Sequence, residues 1–352
     1  MDLEAAYAAL AERGAPAYRV EQVRHAVTRD LIADWDEATT LPKDLRSALA
    51  AAAPVRELVL DDVQESADGT VKARFDTADG FPLETVLMRH GDRHAVCLSS
   101  QSGCALACAF CATGAMGYGR SLTRGEILEQ LLWAAHTAQG RGARIRNVVM
   151  MGMGEPLQNL DEVLAFCGLA NDPEGFGLGA RSIAISTAGW VPGIDALAAQ
   201  PLQLKLAISL HAPDDALRER LMPVNRRYPL ADLMAALKRY RAATRRRIYV
   251  EYLLLDQVND RTEQADRLAD LLHEHLPGAC HVNLIWYNPT AADLEASDPD
   301  RVRRFREVLD RRRIPQTLRR SKGSDIDAAC GQLAVRGARE ARAARRTAPE
   351  PA

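Results

Sequence analysis

The sequence of 352 residues lacks the features that mark membrane and exported proteins. No apolar run approaches the ~20 residues that a membrane-spanning helix needs. The first fifteen residues, MDLEAAYAALAERGA, carry early acids and lack the basic-then-apolar pattern of an export signal. From these two absences we expect a cytoplasmic protein without a membrane partner.

A disulfide framework is missing as well. Secreted frameworks use even numbers of cysteines, whereas this chain has seven. Four of them lie between Cys97 and Gly119, in CLSSQSGCALACAFCATGAMGYG. Such crowding indicates metal or redox chemistry in the cytosol. Within this stretch Cys104, Cys108 and Cys111 are spaced C-x3-C-x2-C, which brings three thiolates to one point from a single loop.

Three thiolates so placed suit an iron–sulfur cluster, zinc or copper(I). A cubane cluster normally takes four cysteines, so three would leave one iron open for another ligand. Zinc needs a fourth ligand, and no histidine falls within residues 98–135. A non-catalytic RNA-binding protein with structural zinc is therefore a rival hypothesis that leaves the fourth ligand unexplained.

The net charge of −2 hides an uneven distribution. Residues 301–352 carry 15 Lys+Arg against 6 Asp+Glu, a local charge of +9 that leaves −11 for residues 1–300. A second basic run lies within residues 238–247. Such segments can follow the phosphates of a nucleic acid. A solvated helix face would give the same pattern.

The hydrophobic pattern divides the chain into four parts. Residues 1–54 have helical apolar spacing and predict a small helical accessory domain that binds RNA if the chain does. Residues 55–96 alternate like strands and contain two Asp-Gly turns, which predicts a short β extension. Residues 97–333 are the main domain. Residues 334–352 are expected to be a disordered basic tail.

Strands and helices alternate through the main domain. A capping-box pair, Thr123 and Glu126, predicts a helix that runs to Gln139. Helical patterns separate strand-like runs at residues 146–151, 182–186, 203–210, 247–255, 281–287 and 314–319. This alternation predicts an α/β fold with a parallel sheet, a partial TIM-like barrel of about six βα units. In such barrels the chemistry lies at the C-terminal ends of the strands.

Polar or glycine-rich clusters follow four of these strands. They are GMGEP at 152–156, Ser186-Thr187, Ser209-Leu210-His211 and Asn288-Pro289. A loop after a strand is commonly polar for solvation alone. Four clusters at equivalent positions, together with the loop that carries Cys104, Cys108 and Cys111 (the cysteine loop), instead favour one shared pocket.

The remaining cysteines lie far from the loop in sequence. Cys330, in GSDIDAACGQL, could be a buried structural cysteine with no role in catalysis. The Gly331 and Gln332 that follow it do not suit a core and favour a loop. Cys167, on an apolar helical stretch, and Cys280, just before a strand, are expected to be structural.

The cysteine loop, with Phe110 inside its last interval, resembles the cluster loop of radical S-adenosylmethionine (radical SAM) enzymes. Longer motifs narrow the resemblance to RNA adenosine methyltransferases of the RlmN/Cfr type: SSQSGCALACAFCATG, MGMGEPL, SLHAPDDALRERLMPVN, YPL, VNLIWYNP and DIDAACGQL. The match runs from about residue 17 to residue 333. It implies a partial (βα)6 radical-SAM barrel and an S-adenosylmethionine-dependent RNA (adenine) methyltransferase.

The resemblance also implies roles for individual residues. One 4Fe–4S cluster would be held by Cys104, Cys108 and Cys111. The amine of S-adenosylmethionine would contact Gly154 and Glu155. Its ribose and carboxylate would be surrounded by Ser186, Ser209, Leu210, His211 and Asn288. Cys330 would carry the methyl group, Cys97 would be the resolving thiol, and Glu84 would be the proton acceptor.

The implied reaction consumes two molecules of S-adenosylmethionine per turnover. One methylates the Cys330 thiolate. The second is cleaved at the cluster, and its deoxyadenosyl radical takes hydrogen from the S-methyl group, which then adds to the adenine ring. A base removes the ring proton, and Cys97 attacks Cys330 to free the methylated base. Cys97 and Cys330 are 233 positions apart in sequence, so the fold must bring them together.

The implied substrate is an adenosine of 23S ribosomal RNA, unpaired or extruded from its stack, with transfer RNA as a further substrate. Carbon 2 is favoured because the housekeeping enzymes are commoner, and carbon-8 methylation of the antibiotic-resistance type is the alternative. We expect the N-terminal helices and the basic C-terminal third to bind the RNA. We also expect an electron donor such as flavodoxin or ferredoxin, and a monomeric enzyme. A third hypothesis is a radical enzyme of the same fold that acts on another substrate and does not need Cys330.

Overall fold

Helices begin the chain, in the region where apolar spacing predicts them. The computed structural model describes residues 1–91, 93–290 and 292–334. The first elements are α1 (Leu3–Glu12), α2 (Tyr18–Thr28) and α3 (Lys43–Ala52). Their apolar faces join the main core, where Leu10, Val23 and Leu49 are almost fully buried. The predicted basic tail falls, apart from its first residue, outside the described residues, and the proposed domain boundaries stay predictions.

A ten-stranded sheet forms the centre of the described chain, in the order β1-β2-β3-β4-β7-β8-β9-β10-β11-β12. Its first four strands are β1 (Val59–Glu65), β2 (Val71–Asp76), β3 (Pro82–His90) and β4 (Arg93–Cys97). The others are β7 (Ile145–Met150), β8 (Ile183–Thr187), β9 (Lys205–Ser209), β10 (Ile248–Leu254), β11 (Cys280–Trp286) and β12 (Gln316–Arg319). A separate two-stranded ribbon pairs β5 (Gln101–Gly103) with β6 (Tyr118–Ser121).

Pairing is antiparallel from β1 to β4 and parallel from β4 to β12. Because β4 pairs with β3 on one side and β7 on the other, the predicted β extension is continuous with the barrel sheet. The six strand-like runs of the main domain are all strands, which confirms the α/β partial barrel. Their near-continuous apolar sequences suit a sheet that is covered on its outer face by helices.

The covering helices lie in the gaps between the parallel strands. They are α5 (Arg124–Gln139), α6 (Leu160–Asn171), α7 (Val191–Ala198), α8 (Asp215–Leu221), α9 (Leu230–Thr244), α10 (Thr262–His275) and α11 (Pro299–Arg311). Helix α5 begins with the predicted capping box, in which Thr123 and Glu126 each bond the other's backbone. None of the helices among the described residues is long and apolar enough to cross a bilayer.

Candidate active site

The cysteine loop leaves β5 at Gly103 and enters a short helix, α4 (Ala112–Met116). Gly103 has φ +73°, and a Cβ there would lie 1.9 Å from the Gly117 carbonyl oxygen, so the turn needs glycine. The backbone N–H of Cys104 donates to that oxygen at 3.1 Å. The loop therefore returns on itself and brings its three half-buried cysteines to one place.

The three thiols lie near enough to influence one another. Burial raises the pKa of Cys104 to about 12. Burial also raises the pKa of Cys108, and the charges of Cys111 and Cys104 add to the effect. Such groups remain protonated thiols in water unless a metal replaces the proton.

A buried cation lies behind this loop. The Arg218 side chain on α8 is 0% exposed, and it has no carboxylate within ion-pair distance among the described residues. Its guanidinium donates to the carbonyl oxygen of Ala188 at 2.6 Å and to Asn225 Oδ1 at 2.8 Å, while its Nε lacks a partner. The loop and α8 are joined by the Ala109 N–H, which donates to the Leu221 carbonyl oxygen at 2.9 Å.

These observations fit an anionic iron–sulfur cluster. An isolated buried cation is costly, and an anion bound by the loop would compensate the charge of Arg218. Within the described ranges, no three His, Cys, Asp or Glu side chains are grouped to share a single metal ion. A 4Fe–4S cluster instead spreads its cysteine ligands over several irons. The donor set of Cys104, Cys108 and Cys111 suits that arrangement better than a closed zinc site.

The GMGEP segment packs against the cysteine loop's entry strand. Gly154 has φ +100°, and a Cβ there would meet the Gln101 side chain at 2.5 Å. The Glu155 N–H donates to Gln101 Oε1 at 2.9 Å. The Glu155 carboxylate is buried and accepts N–H bonds from Leu157 at 3.0 Å and Ala188 at 2.8 Å, and burial raises its pKa to about 7.

The next two parallel strands, β8 and β9, end in further predicted contact residues. Ser186 and Ser209 are half-buried on the neighbouring strands β8 and β9. His211 is buried, its Nδ1 accepts from the Leu253 N–H at 3.0 Å, and its ring meets the Phe110 ring edge-to-face at 4.8 Å. Burial, with a smaller effect of Arg218, lowers the pKa of His211 to about 3, so the imidazole is neutral.

Two further predicted contact residues complete the set. Leu210 is fully buried between Ser209 and His211. Asn288 follows β11, and its side-chain amide donates to Ser321 Oγ at 2.6 Å. The predicted cofactor-contact residues therefore lie at the C-terminal ends of four parallel strands, β7, β8, β9 and β11, and His211 contacts the cysteine loop through Phe110.

Cys97 and Cys330 line the same cavity, which has a volume of about 610 Å³. Cys97 ends β4 and is buried, whereas Cys330 is exposed, and both are free thiols. Cys330 is exposed as a residue, but its sulfur is surrounded by protein, and this burial raises its pKa to about 11. Burial also raises the pKa of Cys97, and the charge of Cys330 adds to that rise. An accessible thiol in such a recess is open to a ligand yet poorly solvated.

The loop that carries Cys330 is held by the cysteine loop. The Ala112 N–H donates to the Gly331 carbonyl oxygen at 2.8 Å. Thr113 Oγ1 donates to the Leu333 carbonyl oxygen at 2.5 Å. Cys330 is thereby placed between the three-cysteine loop and the interior of the barrel.

Two buried carboxyl groups, Glu84 and Glu251, are the candidate proton acceptors. Glu84 on β3 has Oε1 3.5 Å from Lys72 Nζ and is not among the residues that line the cavity. Glu251 on β10 does line it and accepts from Asn283 Nδ2 at 2.7 Å. Burial raises the pKa of both, and Lys72 partly opposes the rise at Glu84. Sequence reasoning missed Glu251, although a single acid inside the apolar run RIYVEYLLL was a signal.

Comparison with known proteins gives consistent matches. A family profile described as the Radical SAM superfamily matches residues 98–269. The probable dual-specificity RNA methyltransferase RlmN of Chloroflexus aurantiacus is 47% identical and covers 92% of this chain and 88% of its own length. The same-named protein of Symbiobacterium thermophilum is 44% identical, over 97% and 91%. The crystal structure of a radical SAM methyltransferase from Sphaerobacter thermophilus matches with a TM-score of 0.91 at 47% identity, over 95% of this chain and 97% of that one.

Proposed function

Because this chain belongs to the RlmN family of radical SAM RNA methyltransferases, we propose that it methylates carbon 2 of an adenosine in 23S ribosomal RNA. Its family implies S-adenosylmethionine and a 4Fe–4S cluster as cofactors, and RNA as the substrate. The dual specificity in the names of its relatives supports a second RNA substrate, and the family resemblance suggests transfer RNA for it. Methylation at carbon 8 is the alternative.

The cavity shared by Cys97 and Cys330 is the observation that carries this proposal. Its volume of about 610 Å³ lies within the range of pockets that hold one small ligand, ~300–1,000 Å³. A nucleoside fits such a space and a duplex does not, so the adenosine would have to leave its stack. Two thiols that line one cavity would provide a carrier and a resolving group for the same ligand.

The residues predicted to hold the cofactors are distinct from those that line this cavity. Cys104, Cys108 and Cys111 would hold the cluster, and the residues at the strand ends, from Gly154 to Asn288, would surround S-adenosylmethionine. When bound, the cluster and S-adenosylmethionine together supply one-electron chemistry that activates an otherwise inert methyl group. A reductant such as flavodoxin or ferredoxin would deliver the electron, and we expect the enzyme to act as a monomer.

Cys330 would be the methyl carrier. Its sulfur would form a bond to the methyl carbon of a first S-adenosylmethionine as the sulfonium bond to that carbon breaks. The thiol proton must leave before this displacement. Burial and Glu251 hold the pKa of Cys330 at about 11, whereas Arg319 opposes them and favours the thiolate. The second S-adenosylmethionine of the turnover would then serve the activation of the carried methyl group.

Cys97 would release the product. Its sulfur would bond to Cys330 sulfur while the Cys330 sulfur–carbon bond breaks, and the electron pair of that bond, with a proton, would complete the methyl group on the base. Glu84 would accept the proton that leaves the ring. Support for the role of Cys97 comes from the cavity that it shares with Cys330. Glu84 does not line that cavity, and its role rests on the family resemblance and on its buried position on β3.

Mass spectrometry of RNA nucleosides tests the proposal. In a strain that lacks this protein, 2-methyladenosine should disappear from 23S ribosomal RNA and return when the gene is restored. Loss of 8-methyladenosine instead would favour the carbon-8 alternative. If neither nucleoside changes in ribosomal or transfer RNA, the proposed substrate is wrong.

A further inference from the structure

Positive charge collects around the cavity. Among the described residues that line it, five are Lys or Arg and one, Glu251, is acidic, although the whole chain has a net charge of −2. The cations come from separate strands and loops: Arg93, Lys205, Arg319, Arg320 and Lys322. The fold therefore builds a cationic surface that only partly follows the linear charge runs.

Burial distinguishes the rim of this cavity from its floor. Arg93, Arg319 and Arg320 are exposed, whereas Cys97 and Glu251 are buried. The exposed arginines therefore face solvent where the cavity opens. We call Arg93, Arg319 and Arg320 the arginine rim.

Two of the rim arginines, Arg93 and Arg319, act on the same histidine. His90, at the end of β3, is exposed and lines the same cavity. Its pKa is lowered by partial burial first and then by the positive charges of Lys322, Arg93 and Arg319. Charges from β4, from the end of β12 and from the segment after it thus converge, although more than two hundred residues separate β4 from β12 in sequence.

Within the described part of the chain, the rim differs from neighbouring basic segments in its lack of ion pairs. Among the described residues, no carboxylate lies within ion-pair distance of Arg93, Arg319 or Arg320. In the basic C-terminal region, by contrast, Arg303 pairs with Asp300 and Glu307, and Arg312 pairs with Asp266 and Asp270. Much of the run expected to grip RNA is therefore neutralised within the protein, whereas the rim keeps its charge.

Resting on the function proposed above, we propose that the arginine rim binds the RNA phosphates on either side of the adenosine that enters the cavity. A cavity of about 610 Å³ admits the nucleoside, so the flanking phosphates must stay at its opening. Guanidinium groups bind phosphate oxygens through paired N–H donors, and unpaired arginines are free to do so. The rim would thus hold the strand while the base reaches Cys330.

Salt-dependent RNA binding tests this inference. Filter binding would use the cluster-loaded full-length enzyme and protein-free 23S ribosomal RNA over a series of salt concentrations. The rim variant is Arg319→Gln with Arg320→Gln. Its matched control is Arg303→Gln with Arg312→Gln, which removes the same charge from paired arginines. Iron content and thermal midpoint would confirm that both variants fold.

We expect the rim variant to bind RNA about tenfold or more weakly. The slope of log affinity against log salt should fall in magnitude by about 1.4–1.8, because each lost phosphate contact contributes about 0.7–0.9. The control should lose much less. Equal losses in both variants, or an unchanged slope in the rim variant, would overturn the inference. If the wild-type enzyme binds RNA through the rim and yet methylates no adenosine, the rim stands and the proposed function fails.

Discussion

The cysteine loop and the cavity lined by Cys97 and Cys330 are two reactive regions that form in different ways. Cys104, Cys108 and Cys111 come from one turn of backbone between β5 and α4. Cys97 and Cys330 come from a central strand and a C-terminal loop, and only tertiary contacts bring them to one cavity. The loop is thus specified by local spacing, whereas the cavity depends on the whole barrel.

The two regions also differ in what their thiols need. The loop thiols are partly buried beside the buried cation Arg218, which suits permanent metal ligands. Cys330 is exposed to the cavity while Cys97 is buried behind it, which suits a carrier and a second thiol that acts on it. Substitutions should therefore separate cofactor binding from methyl transfer.

The largest effect is expected in the cysteine loop. Cys108→Ala should remove the iron, the broad absorbance near ~400 nm and all methylation, because a cluster cannot be held by two thiolates and an open side. Iron analysis after anaerobic purification measures this. Cys167→Ala is the control, since Cys167 is a buried helix residue away from the loop, and it should keep its iron. Four irons per chain in Cys108→Ala would contradict the assignment.

In the cavity, Cys330→Ala should abolish methylation while leaving the iron content unchanged. Loss of a covalent carrier typically costs more than about 1,000-fold in rate. Incubation with S-adenosylmethionine labelled in its methyl group, followed by peptide mapping, should find label on Cys330 of the wild-type protein and none in the variant. Label that stays on the protein in Cys330→Ala would place the carrier elsewhere and favour a different radical enzyme.

Replacement of Cys97, the second thiol of the cavity, is expected to block only the last step of the reaction. Cys97→Ala should still accept the methyl group on Cys330 and couple it to adenine, but it should release product slowly because no thiol resolves the adduct. Denaturing gels with labelled RNA should show a covalent protein–RNA species that is absent from wild type and from the double variant that also lacks Cys330. Normal turnover without that species would remove Cys97 from the mechanism.

The two regions could be predicted from the sequence to different extents, because one is formed by local spacing and the other by tertiary contacts. The C-x3-C-x2-C spacing, the capping box at Thr123 and the apolar strand runs are local signals, and the structure contains the corresponding elements. The proximity of Cys97 and Cys330 was predicted from family resemblance. Nothing near Cys330 in sequence indicates which strand it faces, because that depends on where the chain returns after β12.

The residues that sequence reasoning missed are those whose role depends on burial. Arg218 is one of two arginines in DDALRERL, and only the fold shows that it is buried beside the cysteine loop. Glu251 is hidden within an apolar strand. The arginine rim is assembled from the start of β4, the last residue of β12 and the residue after it, so it is only in part a linear charge run. Composition alone had pointed to the whole basic C-terminal third, much of which forms internal ion pairs.

A smaller effect should sharpen the electrostatics of the cavity. Because the charge of Glu251 raises the pKa of Cys330, Glu251→Gln should lower that pKa and increase thiolate at neutral pH. Iodoacetamide labelling of Cys330, followed against pH by mass spectrometry, should be about threefold to tenfold faster near pH 7. Glu307→Gln, on the surface helix α11, is the control. An unchanged pH profile would mean that Glu251 does not influence Cys330.

The smallest effect is expected behind the cysteine loop, where Arg218 should influence the cluster without touching the cavity. Arg218→Met removes a buried positive charge and should therefore shift the cluster's reduction potential to more negative values, by a few tens of mV. The same substitution should stabilise the cluster-free protein, because an unpaired buried cation is replaced by an apolar side chain of similar length. Arg220→Met, on the exposed side of the same helix, removes equal charge and should leave both quantities unchanged. Spectroelectrochemistry and thermal unfolding measure the two shifts. If Arg218→Met and Arg220→Met gave the same potential, Arg218 would be a packing residue of the loop and not its counter-charge.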